Sequence, residues 1–284
     1  MTNARDLRFP DLVWSHFSRP RFGAFDERVA AAGSAGFKGI GLYAFEYERL
    51  RLEEGRSAAD IRAVLAGHDV AIADVEAVRG WWATEGSEHD SCRQIEDLAY
   101  EMADEFGVRY LQAIGPYDCP FDQAVEGFAA LCDRAGEHGV LVGIEWLPFT
   151  NIPNAADAQA IVRAAGRRNG GYCVDIWHHV RGANDLGQIE ALEPHLVFSV
   201  QLDDGTLAPA DDDYKVDCLA NRVPPGEGEF GVAAFLSTLL TMGVDAPLSL
   251  EVCSTELWAA PADVAAHAAA DATRRVLAEI GVAA

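Results

Sequence analysis

The amino-acid sequence predicts an α/β fold, a single-domain (β/α)8 barrel that spans residues 1–284. Short apolar runs of strand length alternate with longer segments whose apolar residues recur at helical spacing, and this alternation implies a parallel sheet. Glycine follows four of the helical segments, at Gly36, Gly107, Gly139 and Gly243, where a helix cap is expected. Eight strands can be counted, and the chain length suits a closed barrel of roughly 250 residues.

Each half of the chain contributes four strand–helix units. In the first strand, Trp14 and His16 share one face by the period of two, and Ser57 with Asp60 forms a capping box at the start of a helix. The predicted strands are 11–17, 39–43, 70–75, 110–114, 140–144, 172–174, 196–200 and 247–250. The predicted helices are 25–35, 57–67, 90–106, 121–138, 155–165, 186–192, 232–242 and 263–280. No Gly-x-Gly-x-x-Gly follows the first strand, which weakens the alternative of a dinucleotide-binding open sheet.

Composition excludes several classes of function. The formal net charge is −23 and there are only two lysines, Lys38 and Lys215, whereas nucleic-acid binding depends on neutralising phosphates with basic residues. No apolar run approaches the roughly 20 residues of a membrane span, and the N-terminus lacks a signal-peptide core. The six cysteines show no Cys-x-x-Cys spacing and are interpreted as reduced core residues. We therefore expect a cytoplasmic protein without nucleic-acid or membrane partners; a homo-oligomer is left open.

Four predicted strands, the fifth to the eighth, end on a residue with a side-chain oxygen. These residues are Glu145, Asp175, Gln201 and Glu251. Because functional groups of a (β/α)8 barrel lie at the carboxyl ends of its strands, the four side chains should converge on one half of the rim. Three carboxylates brought together repel unless they are protonated or neutralised by a cation, and an all-oxygen set suits Mn²⁺ or Mg²⁺ more than zinc. The alternative is a set of independent side chains that face loops.

Five segments carry a resemblance to a known family. They are Gly143-Ile144-Glu145, Asp175-x-x-His178, Val200-Gln201-Leu202-Asp203-Asp204, Asn221-Arg222-x-Pro-Pro-Gly226-Glu-Gly228 and Ser249-Leu250-Glu251. Over nearly its whole length the sequence resembles the xylose isomerase-like TIM barrels of the sugar phosphate isomerase/epimerase family, whose relatives include ketose 3-epimerases, inosose dehydratases and dehydroshikimate dehydratases. The resemblance implies one divalent metal ion, Mn²⁺ with Mg²⁺ or Co²⁺ as alternatives, and substrate contacts from two further side chains. The implied metal ligands are Glu145, Asp175, Gln201 and Glu251, and the implied substrate contacts are His178 and Arg222.

The sequence departs from the family pattern after the seventh strand. The third ligand is usually His, and Gln201 stands there instead, which can coordinate through its amide oxygen but binds transition metals less tightly. The usual His-Leu-Lys-Asp run has become Gln-Leu-Asp-Asp, so Asp203 replaces a cation. The insertion 205–220, which includes Asp211 to Asp213, argues against a phosphorylated substrate; alternatively, this acidic run is only a solvated loop.

Two glutamates on opposite sides of a chelated substrate suggest proton transfer. A metal ion that binds adjacent oxygens of an α-hydroxyketone acidifies the C–H bond between them and stabilises the enediolate. Glu145 and Glu251 would then remove and return a proton, which predicts a sugar or keto-polyol isomerase or epimerase. A lyase that eliminates water is the alternative, with His178 as a candidate acid, and a non-catalytic sugar-binding barrel ranks below both. An apurinic-site endonuclease shares the fold, but few of the eight histidines fall at strand ends.

The remaining polar and aromatic candidates lie near other strand ends. His16 and Trp146 are predicted to line the pocket, although core packing accounts for Trp146 nearly as well. Glu46 and Glu76 follow the second and third strands and are weaker candidates for contact with substrate. The predicted substrate is a small sugar or keto-polyol without a phosphate group.

Overall fold

The computed structural model describes residues 2–20, 23–115 and 119–283, and its eight parallel strands close into a barrel in sequence order. The strands are β1 (Leu12–Trp14), β2 (Gly39–Tyr43), β3 (Ala71–Val78), β4 (Tyr110–Ala113), β5 (Leu141–Glu145), β6 (Gly170–Asp175), β7 (Val197–Leu202) and β8 (Leu248–Leu250). Strand β8 closes the barrel on β1. The predicted (β/α)8 fold is confirmed, and every predicted strand is present with ends that differ by a few residues.

The helices surround the barrel and follow the strands along the chain. They are α1 (Phe25–Ser34), α2 (Ala44–Leu52), α3 (Ala58–Gly67), α4 (Gly86–Phe106), α5 (Phe121–Glu137), α6 (Ala155–Ala165), α7 (Ile176–Arg181), α8 (Leu186–Glu190), α9 (Tyr214–Ala220), α10 (Val232–Met242), α11 (Thr255–Ala259) and α12 (Ala262–Glu279). The sequence does not predict α2, α7, α9 or α11. Helices α7, α9 and α11 have only five to seven residues, too few for a helical period to stand out from the flanking loop, and the apolar residues of α2 do not recur at helical spacing.

Two strand glycines leave room for polar side chains inside the barrel. A Cβ on Gly143 in β5 would lie 2.6 Å from the hydroxyl oxygen of Tyr110. A Cβ on Gly41 in β2 would overlap the carboxyl groups of Asp74 and Glu76, which extend from β3. The barrel interior is therefore shaped around buried oxygen atoms as well as around apolar packing.

The structure bears on the state of the cysteines and on membrane-spanning helices. All six cysteines are buried and free, as predicted. Within the part of the chain that the structure describes, no helix is both long enough and apolar enough to cross a membrane.

Candidate active site and metal centre

A cavity of about 340 Å³ opens at the carboxyl ends of the strands. The side chains that line it include Phe17, Arg79, Gln112, Ile114, Glu145, Leu147, Phe149, His178, Tyr214, Lys215, Leu219, Arg222 and Glu251. A larger and more open depression of about 790 Å³ lies between α1 and α3, but its charged side chains, such as Glu27 and His68, are exposed. We place the candidate site in the rim cavity because that cavity collects the buried titratable groups.

Three buried side chains lie close enough together to hold one metal ion. A carboxylate oxygen each from Glu145 and Asp175 and a ring nitrogen of His178 lie within 4.8 Å of one another. His178 Nε2 is 3.6 Å from Glu145 Oε1 and 3.7 Å from Asp175 Oδ2. The start of α7 orients Asp175, whose Oδ1 accepts hydrogen bonds from the backbone N–H groups of Trp177 and His178 at 2.5 and 3.3 Å. Carboxylate oxygens with one imidazole nitrogen fit a divalent cation.

The guanidinium of Arg222 lies at the centre of a second, overlapping cluster. Its Nη1 is 3.2 Å from Asp175 Oδ2 and 3.1 Å from Glu251 Oε2, and it also pairs with Asp203. Its Nε donates a hydrogen bond of 2.9 Å to the backbone oxygen of Cys218. Arg222 is 1% exposed, so it places a positive charge beside three buried carboxyl groups, which opposes the cost of ionising them away from water. The predicted contact between Arg222 and substrate stays a prediction, and neutralisation of this cluster is a role that the sequence did not reveal.

Glu251 lies beside the group of Glu145, Asp175 and His178, and the amide of Gln201 has hydrogen-bond partners of its own. Gln201 Oε1 is 3.4 Å from Gln112 Nε2 and 3.3 Å from the thiol of Cys173, both of which donate to it. The two carboxylate oxygens of Glu251 have different neighbours. Its Oε2 faces Arg222, and its Oε1 lies 3.3 Å from the hydroxyl oxygen of Ser15. Two of the four ligands implied by the resemblance, Glu145 and Asp175, therefore lie together with His178 as a third member, and coordination by Gln201 stays a prediction.

A buried acid pair on β3 continues the polar network behind Glu251. Glu76 accepts hydrogen bonds from the Ser15 hydroxyl at 2.9 Å and from the backbone N–H of His16 at 3.0 Å. Burial raises the pKa of Asp74 to about 7 and that of Glu76 to about 8, and the charge of Asp74 adds to the rise at Glu76. The sequence marks Glu76 by its place near the strand end, whereas Asp74 lies inside an apolar run and carries no comparable signal.

Burial also decides the protonation of the central groups. Loss of hydration raises the pKa of Glu145 well above its usual range, with a further rise from Asp175, and raises the pKa of Glu251 to about 8. The same loss of hydration lowers the pKa of His178 to about 4. His178 is thus neutral near pH 7, which is the form that a metal ligand requires.

The acidic insertion contributes a wall of the cavity. Its first part, including Asp211 to Asp213, is exposed, but its second part forms α9, from which Tyr214 and Lys215 reach the cavity. The Tyr214 hydroxyl lies 2.6 Å from His178 Nδ1 and so directs the other ring nitrogen towards Glu145 and Asp175. Asp213 caps α9 through its side chain, and this cap was the available sequence signal for the helix.

The other predicted pocket residues have partners outside this cavity. Among the described residues that line the cavity, neither His16 nor Trp146 is included. His16 is buried with its Nδ1 2.6 Å from Arg28 Nη1, and Trp146 packs in the main hydrophobic core. Glu46 forms an ion pair of 2.8 Å with Arg49.

A closed (β/α)8 barrel with a group of ligand-type side chains at its carboxyl rim defines a class of protein to which many enzymes belong. Residues 29–279 match the sequence model of the xylose isomerase-like TIM barrels, and the chain belongs to this family. The predicted membership is confirmed.

Relatives in this family are enzymes of more than one reaction type. The 3-dehydroshikimate dehydratase of Pseudomonas putida is 26% identical over 248 residues, which cover 84% of this chain and 38% of that protein. An inosose isomerase of Halalkalibacterium halodurans is 30% identical over 152 residues, which cover 52% of this chain and 51% of that protein. The chain thus matches only about half, or less, of the length of these relatives.

Solved structures show the same fold at lower identity. The IOLI protein with a bound zinc atom superposes with a TM-score of 0.84 at 20% identity, covering 95% of this chain and 99% of that chain. A fusion of a xylose isomerase-like TIM barrel with a 4-hydroxyphenylpyruvate dioxygenase gives 0.81 at 23% identity, covering 95% of this chain and 43% of that chain.

The two ligand sets can be separated by metal titration of paired variants. If His178 binds the ion, His178→Ala should weaken Mn²⁺ binding by roughly tenfold or more, since loss of outer partners alone costs 10–100-fold. Gln201→Ala should then change affinity little, because its amide oxygen is held by Gln112 and Cys173. Calorimetric titration measures both. If Gln201→Ala weakens Mn²⁺ binding more than His178→Ala does, the third ligand is Gln201 and not His178.

Proposed function

We propose that the chain is a divalent-metal-dependent enzyme that removes a proton next to the carbonyl of a hydroxylated ketone, and that elimination of water follows. The main support for this proposal is that Glu145 and Glu251 line one cavity together with His178, a member of the group that could hold the metal. Glu145, Asp175 and His178 would hold the ion. A divalent cation at this place would acidify the C–H bond beside a coordinated carbonyl and stabilise the developing charge.

The two glutamates divide the proton transfers between them. One carboxylate accepts the proton from the carbon, and the electron pair of that C–H bond moves towards the carbonyl. The electron pair then returns to expel the β-hydroxyl group, which takes a proton from the other carboxyl group and leaves as water. Glu251 is prepared for such a role because Ser15 and Arg222 hold its two oxygens separately. The positive charge of Arg222 reduces the repulsion between the surrounding carboxylates.

The choice of dehydration rests on the similarity to the dehydratase, which extends over 84% of this chain. Isomerisation or epimerisation of a sugar or keto-polyol is the second candidate. It is supported by the inosose isomerase, at higher identity over 52% of the chain. Both reactions begin with the same proton abstraction, so the same residues serve either one.

The test is a substrate panel with metal-loaded protein in D₂O. The panel contains 3-dehydroshikimate, inososes, 3-keto-glycosides and ketoses, and recovered material is examined by mass spectrometry and NMR. Dehydration is expected to give a product that has lost water, and for 3-dehydroshikimate an aromatic product that absorbs in the ultraviolet. Deuterium in an isomer without loss of water would favour the second candidate. No deuterium exchange and no product with any ketone would contradict proton abstraction and support a non-catalytic barrel.

A further inference from the structure

We propose that the substrate of this site bears a carboxylate, which Arg79 and Lys215 bind at the mouth of the cavity. The inference rests on the proposed function and names the substrate class more narrowly: a hydroxylated ketone that carries one carboxylate at a distance from the reacting carbon.

The first observation is that, within the described part of the chain, the charged groups of these two cations have neither an ion pair nor a hydrogen bond, although the chain is strongly acidic. The net charge is −23, and basic side chains are generally engaged, such as Lys38 with Asp69. Among the described residues, the charged groups of only three basic side chains have neither an ion pair nor a hydrogen bond: Arg79, Arg168 and Lys215. Two of the three line the same cavity. The Lys215 ammonium lies 5.8 Å from the ring centroid of Phe149, a contact that leaves its hydrogen-bond donors available.

The second observation is that the chain holds both residues at the cavity. Arg79 follows β3 directly, and the next residue, Gly80, has a φ of +73° and packs so closely on α4 that a Cβ would lie 2.5 Å from the Glu88 carbonyl oxygen. This close approach fixes the backbone beside Arg79. Lys215 lies in the first turn of α9, which is tied down by the buried ion pair of 2.8 Å between Arg181 and Asp217.

The cavity that these cations share with Glu145 and His178 is also lined by apolar side chains. They include Phe17, Ile114, Leu147, Phe149 and Leu219. A ligand that matches all three zones has oxygens for the metal group, a hydrocarbon ring or chain for the apolar wall, and an anion for the mouth. A neutral polyol would leave both cations unpaired. The exposed acids Asp211 to Asp213 lie just before α9 and Lys215 in the sequence, so a singly charged carboxylate is favoured over a phosphate dianion.

The experiment compares shikimate with its neutral methyl ester. In shikimate a hydroxyl replaces the ketone of 3-dehydroshikimate, so the molecule cannot enolise and its binding to Mn²⁺-loaded protein can be measured by calorimetry. The acid should bind more tightly than the ester, and added salt should narrow the difference. Arg79→Gln and Lys215→Gln should each weaken binding of the acid roughly tenfold, the scale of a charge-assisted hydrogen bond, without affecting the ester. Arg168→Gln, an exposed cation just before β6 at the other end of the barrel, is the matched control and should change nothing.

Several results would overturn this assignment. These are equal binding of acid and ester, no binding of either, or an unchanged preference in both cavity variants. Tighter binding of fructose 6-phosphate than of shikimate would overturn the choice of a carboxylate. Failure of the proposed reaction is distinguishable, because the substrate panel would then give no exchange or product while the acid preference and its loss in the two variants persisted.

Discussion

Glu145→Gln and Glu251→Gln are each expected to lower turnover by about 10²–10⁴-fold, the usual contribution of general acid–base catalysis. An amide has nearly the size of a carboxylate and can keep an oxygen for a metal ion, but it cannot accept or donate the proton in the same way. The kcat of metal-loaded variants on the active ketone of the panel is the measurement. Metal content, determined on the same samples, should remain close to that of the wild type.

Glu46→Gln is the matched control for these two variants. Glu46 is buried like the site glutamates but pairs with Arg49 on α2 and does not line the rim cavity among the described residues. Its replacement should leave kcat nearly unchanged. If Glu145→Gln or Glu251→Gln retains near-full activity with metal bound, that residue is outside the proton-transfer pair. The leaving hydroxyl would then take its proton from a group other than that glutamate.

Arg222→Ala is expected to lower the free energy of unfolding by roughly 3–5 kcal/mol, because removal of one partner from a buried ionic cluster leaves uncompensated charge. The three carboxylates concerned belong to Asp175, Asp203 and Glu251. Urea unfolding followed by tryptophan fluorescence measures the change. Saturating Mn²⁺ should recover part of the loss, since a cation beside Asp175 replaces some of the missing positive charge.

Two further variants test whether the loss of stability in Arg222→Ala comes from the buried carboxylates. Arg167→Ala removes a guanidinium whose pair with Asp133 has comparable geometry, at 2.5 and 2.8 Å, but is exposed; its loss should change stability little, because water and salt screen an exposed pair. Adding Asp203→Asn to Arg222→Ala removes one of the stranded charges and should restore part of the stability, as a double-mutant cycle would show. A small loss in Arg222→Ala, similar to that in Arg167→Ala, would mean that the carboxylates are protonated and that Arg222 is not their counter-charge.

Local sequence signals were sufficient where a residue ends a regular element. Glu145 and Asp175 end β5 and β6, and the apolar run before each of them marks both the strand and the side of the barrel on which the carboxylate emerges. The same logic identified Glu251, one position beyond β8, as a rim residue that lines the cavity. These predictions held because strand length, strand direction and the closed parallel topology all follow from patterns within a few residues.

Partners distant along the chain could not be assigned in this way. Ser15 reaches Glu251 over a separation of 236 residues, and Arg222 reaches Asp175 over 47. The helix α9 was obscured by the acidic run before it, so Tyr214 and Lys215 were not recognised as cavity residues. A short helix contributes little periodic signal of its own, and it is held by contacts such as that between Arg181 and Asp217.

The sequence by itself determined the barrel, the rim on which the candidate site lies and the acidic character of that site. Only the tertiary structure decided which rim residues face one another. Gln201 and His178 are both rim side chains, yet contacts with Gln112 and Cys173 hold the amide of Gln201, while Tyr214 turns the His178 ring towards Glu145 and Asp175. The physical reason is that strand ends are positioned by local hydrophobic periodicity, whereas the direction of a buried polar side chain is set by the hydrogen-bond partners that distant segments bring to it.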